Sequence, residues 1–135
     1  MKKRVFENQN ENDYAVLNYD DETVREIASG LKSKICFFSR KCKLDQGIYL
    51  DDQNNIVFNY GAINTVVCNA AEVYIKGGHN LENAMAATAI AMLSGISAQS
   101  CAYTLKTFKG VEHRIEFCGT VDGVRFVNDS KGTNP

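Results

Sequence analysis

From Tyr14 to Ser39 the chain reads strand, helix, strand within 26 residues, and no other feature restricts its fold as much. Tyr14 to Leu17 is a short apolar run with the length of a buried strand. Asp20 and Asp21 then precede apolar residues at Val24, Ile27, Ala28 and Leu31. That i, i+3, i+4, i+7 spacing is one face of an amphipathic helix with an acidic start. Lys34 to Ser39, KICFFS, reads as a second strand. Two strands bridged by a helix at this spacing form a βαβ unit, and its strands lie parallel.

The residues that follow change character. Gly47 to Leu50 and Ile56 to Tyr60 are short β-like runs on either side of the turn-rich DDQNN. Asn54 and Asn55 can supply the positive φ angles of a tight hairpin there. Val73 to Lys76 predicts a further strand. A helix is expected from about Leu81 to Ser94, with Asn80 as N-cap and Gly95 just past its end. Its alanines, Ala84, Ala86, Ala87, Ala89 and Ala91, allow close approach to a sheet or another helix. A second helix is expected from Ser97 to Gly110, with Cys101, Ala102, Leu105 and Phe108 on its apolar face. Ile115, Phe117 and Val121, then Asp122-Gly123, then Val124 and Phe126 read as a β-hairpin around a strong two-residue turn signal. The expected class is α/β: part of a mainly parallel sheet with flanking helices and a small antiparallel β meander, followed by a C-terminal hairpin. The chain stops on its most polar stretch, NDSKGTNP, directly after that hairpin, so an incomplete domain is expected there.

Charge and cysteine content exclude several functions. Fifteen basic and sixteen acidic residues give a net charge of −1, which carries no nucleic-acid or membrane footprint. Neither is an expected partner. The opening MKKR has no long apolar stretch behind it, and no run approaches the ~20 apolar residues of a membrane span, so a cytoplasmic location is expected. The five cysteines, Cys36, Cys42, Cys68, Cys101 and Cys118, are odd in number and contain no CxxC pair. They suit small reduced hydrophobes better than a zinc site or a disulfide framework. No metal-ligating set is expected on this chain.

Three segments can carry chemistry. In GGHNLEN, Gly77 and Gly78 let a ligand approach the backbone, and the following helix start offers free N–H groups. Asn80 and Asn83 lie three apart, on one helix face, and an amide pairs a donor with an acceptor, as a nucleobase edge does. Equally, Asn80 can cap the helix with no ligand at all. Arg114, just before a strand, can meet a phosphate, stack on a base, or sit in solvent. After the last strand, Asp129 can accept from ribose hydroxyls, Lys131 can neutralise a phosphate or carboxylate, and Ser130 and Thr133 can orient either. The competing reading is a polar loop of Asx turns.

Taken together, these segments carry a resemblance. GGHNLENAMAATAIAMLSGIS, residues 77–97, resembles the Mur ligase pattern of His-Asn, a second Asn three residues on, and an alanine-rich helix. HRIEFCGTVDGVRFVNDSKGTN, residues 113–134, resembles the start of the C-terminal domain in the family branch that handles D-glutamate. The resemblance implies that residues 1–109 are the C-terminal part of a central ATP-binding domain. Residues 110–135 would begin the next, amino-acid-binding domain, with a hinge near Phe108 to Val111. It implies an ATP- and Mg2+-dependent ligase of peptidoglycan precursor synthesis, whose small-molecule partners are ATP, UDP-N-acetylmuramoyl-L-alanine and D-glutamate. The carboxylate would be phosphorylated and the acyl phosphate then attacked by the D-glutamate amine. Asn80 and Asn83 would contact adenine, Arg114 the nucleotide and Asp129 its ribose. Lys131, Thr133 and Ser130 would lie near the D-glutamate or acyl-phosphate end, and His79 would carry no chemistry.

The departures are as informative as the matches. The family's GxxGK[ST] phosphate loop, its magnesium-binding acids and its modified lysine do not occur in these 135 residues. The main catalytic residues are therefore unknown here, and the chain alone is expected to be inactive. The unpaired edges of its hairpin make self-association an expected property. Two alternatives remain: a stand-alone nucleotide or sugar-phosphate binding module, and a structural domain that uses its surface for protein contacts.

Overall fold

The computed structural model describes residues 2–114 and 116–132. After a 3-10 helix over Lys2–Phe6, β1 (Tyr14–Asn18) pairs in parallel with β2 (Lys34–Ser39), from Tyr14 opposite Lys34 to Asn18 opposite Phe38. Between them runs α1 (Glu22–Ala28), capped by the Asp21 carboxylate, which accepts from Val24 N–H at 3.1 Å. The expected helix reached Leu31. It stops at Ala28 because the last turn tightens, with Gly30 N–H and Leu31 N–H bonding three residues back, to Ile27 and Ala28. Leu31 still packs against the cluster of Ala15, Leu17 and Ala28.

A single sheet of order β1-β2-β3-β4-β5 unites the parallel unit with the meander. β3 (Gly47–Leu50) runs parallel to β2, whereas β4 (Asn55–Tyr60) and β5 (Ile63–Asn69) are added antiparallel. The β3–β4 turn is organised by the Asp51 carboxylate, which accepts from Asn55 N–H at 2.8 Å, Gln53 N–H at 2.9 Å and Asn55 Nδ2 at 3.0 Å. These bonds, the Asn55 backbone N–H first, hold its carboxyl below the usual range. Only Asn54 takes a positive φ, 59°; Asn55 is already the first residue of β4, so the expected pair of left-handed asparagines is corrected to one.

The expected strand at Val73 to Lys76 is corrected as well. The fifth strand is Ile63–Asn69, reached through a turn at Gly61 (φ 59°). Asn69 then opens a 3-10 helix, Ala70–Glu72, through a reciprocal cap with Glu72. Residues 73–76 find other partners for their polar groups. Tyr74 N–H donates to Leu105 O at 2.9 Å, and the Lys76 ammonium folds back onto the carbonyls of Ala71 (2.8 Å) and Val73 (2.6 Å).

α2 (Gly78–Leu93) begins earlier than its sequence suggests, with Gly77 (φ 106°) rather than Asn80 at the N-cap. Its C-terminal end is as expected. Gly95 takes φ 88°, Gly95 N–H bonds Met92 O and Ile96 N–H bonds Ala91 O, a Schellman closure. α3 (Ala98–Thr107) is capped by Ser97. α2 packs on β1, β2 and β3, and α3 packs on β5. Between α2, α3 and this face of the sheet lies the main core, around Cys36, Ile48, Ile56, Phe58, Met85 and Ala89. Each fully buried aliphatic or aromatic side chain there contributes about 1.5–3 kcal/mol. α1 covers the other face at Ala15 and Leu17. Burial pushes the Cys36 thiol up to about 12, and the thiols of Cys68 and Cys101 upward too, so these three behave as inert hydrophobes. All five cysteines are free, with Cys42 and Cys118 exposed.

β6 (Glu116–Val121) and β7 (Val124–Asn128) form a separate two-stranded sheet. Asp122 (φ 50°) and Gly123 (φ 80°) make its turn, as the Asp-Gly signal predicts. The first expected residue of this hairpin, Ile115, lies outside the described residues.

Two tests follow from this packing. At Gly47 (φ 140°) an added Cβ would sit 2.2 Å from the Phe37 carbonyl oxygen. Gly47→Ala should cost about 2–4 kcal/mol, by strain and by prising β3 from β2; a urea midpoint equal to wild type would refute that account. The second concerns the 2.6 Å pair between Lys106 of α3 and Glu72. Lys106 and then the Asn69 N–H hold the Glu72 carboxyl below its ordinary value, and Glu72 in turn raises Lys106. A depressed carboxylate adds stability that is present above the ordinary carboxylate range and is lost as pH falls through the depressed value. A raised ammonium adds stability that is present below the ordinary lysine range and lost as pH rises through the raised value. Lys106→Met should therefore lower Tm at neutral pH by a small, salt-screened amount, and the gap should close in acid. A gap of equal size at pH 7 and well below the carboxylate range would exclude the pair as its cause.

Candidate functional site

The start of α2 is held by the sheet even though no strand leads into it. Ser39 Oγ donates to Asp20 Oδ1 at 2.6 Å and Arg40 N–H donates to Asp20 Oδ2 at 2.9 Å, joining the carboxyl ends of β1 and β2. The Arg40 guanidinium then reaches across to α2, with Nε and Nη2 both 3.0 Å from Glu82 Oε1. It lies flush on Gly78, where an added Cβ would meet Cζ at 3.1 Å. Arg40 and Glu82 thus place this helix start at the carboxyl edge of the parallel strands. The strand expected at Val73 to Lys76 does not lead into it.

A cleft of about 830 Å³ opens beside this helix start. It is lined by Asn80 and Asn83 of α2, by Tyr74, Ile75 and Lys76, by residues 108–112, and by Arg114, Glu116, Phe117 and Arg125. Phe108, expected on the buried face of α3, is 44% exposed and lines this cleft instead, because α3 ends at Thr107 and Phe108 only caps it. Asn80 is the third residue of α2, and its Nδ2 donates to Lys76 O at 2.8 Å. That bond orients the amide and leaves Oδ1 as its acceptor.

Charges around the cleft divide into engaged and available groups. The Lys76 ammonium is held by two carbonyls. Glu116 Oε2 accepts from His113 N–H at 2.8 Å and lies 3.4 Å from His113 Nδ1. Among the described residues, the guanidinium groups of Arg114 and Arg125 have no hydrogen-bond or ion-pair partner. Two planar cations and two side-chain amides therefore line one concave surface, an arrangement suited to an anionic ligand with a polar heterocycle.

Of the residues singled out by sequence, the cleft brings together Asn80, Asn83 and Arg114. Asp129, Ser130 and Lys131 do not line it. Their segment docks next to Arg114: Lys131 N–H donates to His113 O at 3.0 Å, and Asn128 Nδ2 lies 2.9 Å from His113 Nδ1. Ser130 N–H bonds Asn128 Oδ1 at 3.1 Å, and Gly132 N–H bonds Asp129 O at 2.9 Å, the turn chemistry that a polar loop predicts. Thr133 lies outside the described residues. His79 is exposed, 3.8 Å from Glu82. Among the described residues no three His, Cys, Asp or Glu side chains converge to hold a metal ion. Sequence reasoning missed Arg40, Glu82, Lys76 and Arg125. Each is a single charged residue on an amphipathic or polar stretch, with no spacing signal to distinguish it. A smaller cavity beside Phe6, Gln9 and Leu31 lies at the opposite, amino-terminal ends of β1 and β2.

Over its whole length the chain is 51% identical to the UDP-N-acetylmuramoylalanine--D-glutamate ligase of Thermoanaerobacter sp. (strain X514), covering 30% of that protein. Over 99% of its length it is 46% identical to the same-named ligase of Clostridioides difficile (strain 630), covering 29% of it. The chain thus spans about 30% of the length of the curated relatives it matches. The fold is shared with MurF from Acinetobacter baumannii, at a TM-score of 0.69 and 21% identity, over 95% of this chain and 28% of that one. Residues 1–91 match the Mur ligase middle domain, and with that match the chain belongs to the Mur ligase family.

Proposed function

We propose that this chain forms the adenosine side of the active site of an ATP-dependent ligase that joins D-glutamate to UDP-N-acetylmuramoyl-L-alanine. The observation that carries the reading is the cleft on which Asn80, Asn83 and Arg114 converge. Asn80 Oδ1, oriented by the bond from Nδ2 to Lys76 O, accepts from the adenine amino group. Asn83, one turn along the same face, reads the neighbouring edge of the base. Arg114 meets the phosphate end of the nucleotide. Asp129, beside His113 and Arg114, binds the ribose hydroxyls, and Lys131, Ser130 and Thr133 serve the D-glutamate or acyl-phosphate end. In this reading residues 1–109 complete the central domain, and residues 110–135 begin the next, amino-acid-binding domain.

The residues fit adenosine but not the whole cofactor. Asn80, Asn83 and Arg114 have the chemistry to hold a nucleotide, but the described residues include no ligand set for magnesium. The phosphate-binding run GxxGK[ST] does not occur in its sequence. ATP, when bound to the complete ligase, supplies the phosphoryl group that turns the muramoyl-alanine carboxylate into an acyl phosphate, which the D-glutamate amine attacks. This chain contributes positioning and charge neutralisation to that reaction, and by itself is inactive. A cytoplasmic location belongs to the same reading; no described helix is long and apolar enough to cross a membrane.

Titration of the isotope-labelled chain with ADP should shift the side-chain amides of Asn80 and Asn83 and the backbone signal of Arg114. Asn80→Ala should weaken ADP binding about tenfold with little change in Tm. Unaltered affinity in that variant would refute the adenine contact, and tighter binding of a UDP-sugar than of ADP would favour a sugar-phosphate module. A further expectation concerns β6 and β7. Their outer edges are unpaired, and Val121, Val124 and Phe126 are exposed. The isolated chain should self-associate at high concentration through this hairpin. Sedimentation as a monomer at every concentration tested would contradict this.

A further inference from the structure

Arg125 is absent from the set of residues that the sequence motifs single out, yet it faces the cleft from β7. Its placement follows from the strand register. Phe117 stands opposite Val127 and Thr120 opposite Arg125, with a bulge between Phe117 and Gly119. Phe117 and Arg125 are therefore diagonal neighbours on one face of the hairpin, and that face lines the cleft. The Arg125 Cζ lies 5.2 Å from the centre of the Phe117 ring. Among the described residues Arg125 has no hydrogen-bond or ion-pair partner, so the ring is what holds its guanidinium at the cleft wall.

We infer that Arg125, seated on Phe117, is a nucleotide-binding residue that stacks on the face of the purine whose edge is read by Asn80 and Asn83. The inference rests on the adenosine reading of the cleft. Three physical points support it. An amide pair can recognise the edge of a base, but a flat heterocycle also needs a partner for its face; of the planar side chains that line the cleft, Tyr74, Phe108, Phe117, Arg114 and Arg125, only the guanidiniums are cationic, and of those two Arg125 is the one seated on a ring. A guanidinium is planar, delocalised and weakly hydrated, so it stacks on π-faces at lower desolvation cost than an ammonium. Phe117 restricts the side chain before the ligand arrives, which lowers the ordering entropy lost on binding. A surface arginine whose only role was to steady the hairpin would have no reason to share a concave wall with Arg114.

The test measures binding of ADP and of adenosine to the full chain by ligand-observed and protein-observed NMR, comparing Arg125→Ala, Arg125→Lys, Phe117→Leu and Asn80→Ala with wild type. Stacking predicts that both Arg125 variants lose affinity for adenosine and for ADP by the same factor, about two- to fivefold, and that Phe117→Leu follows them. Wild-type affinity in Arg125→Lys overturns the proposal, since charge alone would then suffice. A loss confined to ADP overturns it as well, because that outcome describes a phosphate contact. If the Arg125 variants bind normally while Asn80→Ala does not, the stacking role falls and the adenosine cleft stands. If wild type binds neither ligand, or Asn80→Ala also binds normally, the reading of the cleft falls and takes the stacking role with it. Should Arg125→Ala disorder the hairpin, as read from its amide dispersion, Arg125→Lys decides, because it keeps both the alkyl stem and the charge.

Discussion

The parallel contact between β2 and β3 is the constraint on which the rest of the molecule depends. Among the described residues β3 is the one strand that belongs to both halves of the sheet, parallel to β2 and antiparallel to β4. Residues 40–46 connect β2 to β3 with no crossover helix, so the chain must turn back tightly and enter β3 hard against β2. Gly47 makes the entry possible. Its φ of 140° and the 2.2 Å at which a Cβ would meet the Phe37 carbonyl leave no room for a side chain. The two halves thereby become one surface, and α2 and α3 cover it along its length. A break at this point would separate the helix that carries Asn80 and Asn83 from the strands that orient it.

The cleft wall depends on a second set of contacts, all made by residues 69–76. Beyond Asn69, the last residue of β5, this segment has no strand partner, so its polar groups are satisfied one by one. Asn69 and Glu72 cap each other, Lys106 pairs with Glu72, and Tyr74 N–H bonds to Leu105 O. The Lys76 ammonium closes the turn, while the Lys76 carbonyl receives the Asn80 amide. From the sheet side, Arg40 clamps the same helix start through Glu82 over Gly78. Asn80 is thus positioned by residues on three different elements. A rigid platform of this kind suits a group that must present one acceptor in one direction.

Much of the fold was legible in the chain because the relevant physics is local. The 3.6-residue spacing of Val24, Ile27 and Ala28, the acidic start at Asp20 and Asp21, the helix start at Ser97, the Gly95 stop and the Asp122-Gly123 turn all act within a few residues, and each is found. The errors fall where a local signal had a stronger distant competitor. Val73 to Lys76 looks like a strand by composition, but the Tyr74 N–H goes to Leu105 of α3 and the Val73 N–H to Ala70 of the preceding 3-10 turn. Asn80 looks like an N-cap, yet the helix can start at Gly77 because glycine tolerates φ 106° there, and the asparagine is freed for the cleft. INTVVCN became a strand only because the Gly61 turn lays it beside β4.

The site divides in the same way. The sequence by itself determined the membership of the GGHNLEN and NDSKGTN segments and the residue types they hold, since a motif is a matter of order and spacing along one chain. It also determined that Cys36 and Cys68 would be buried hydrophobes, because their apolar neighbours in sequence became apolar neighbours in the core, whereas Cys118, also in an apolar run, is exposed on the hairpin. Only the tertiary structure decided that Asn80 and Asn83 share a cleft with Arg114, and that Arg125 and Phe117 complete its far wall while Asp129 to Lys131 sit beside it. Asn80 and Asn83 lie more than thirty residues from Arg114, Phe117 and Arg125 along the chain. Their convergence is set by how the sheet, the 69–76 turn and the hairpin pack, and no property of the separate segments carries that information.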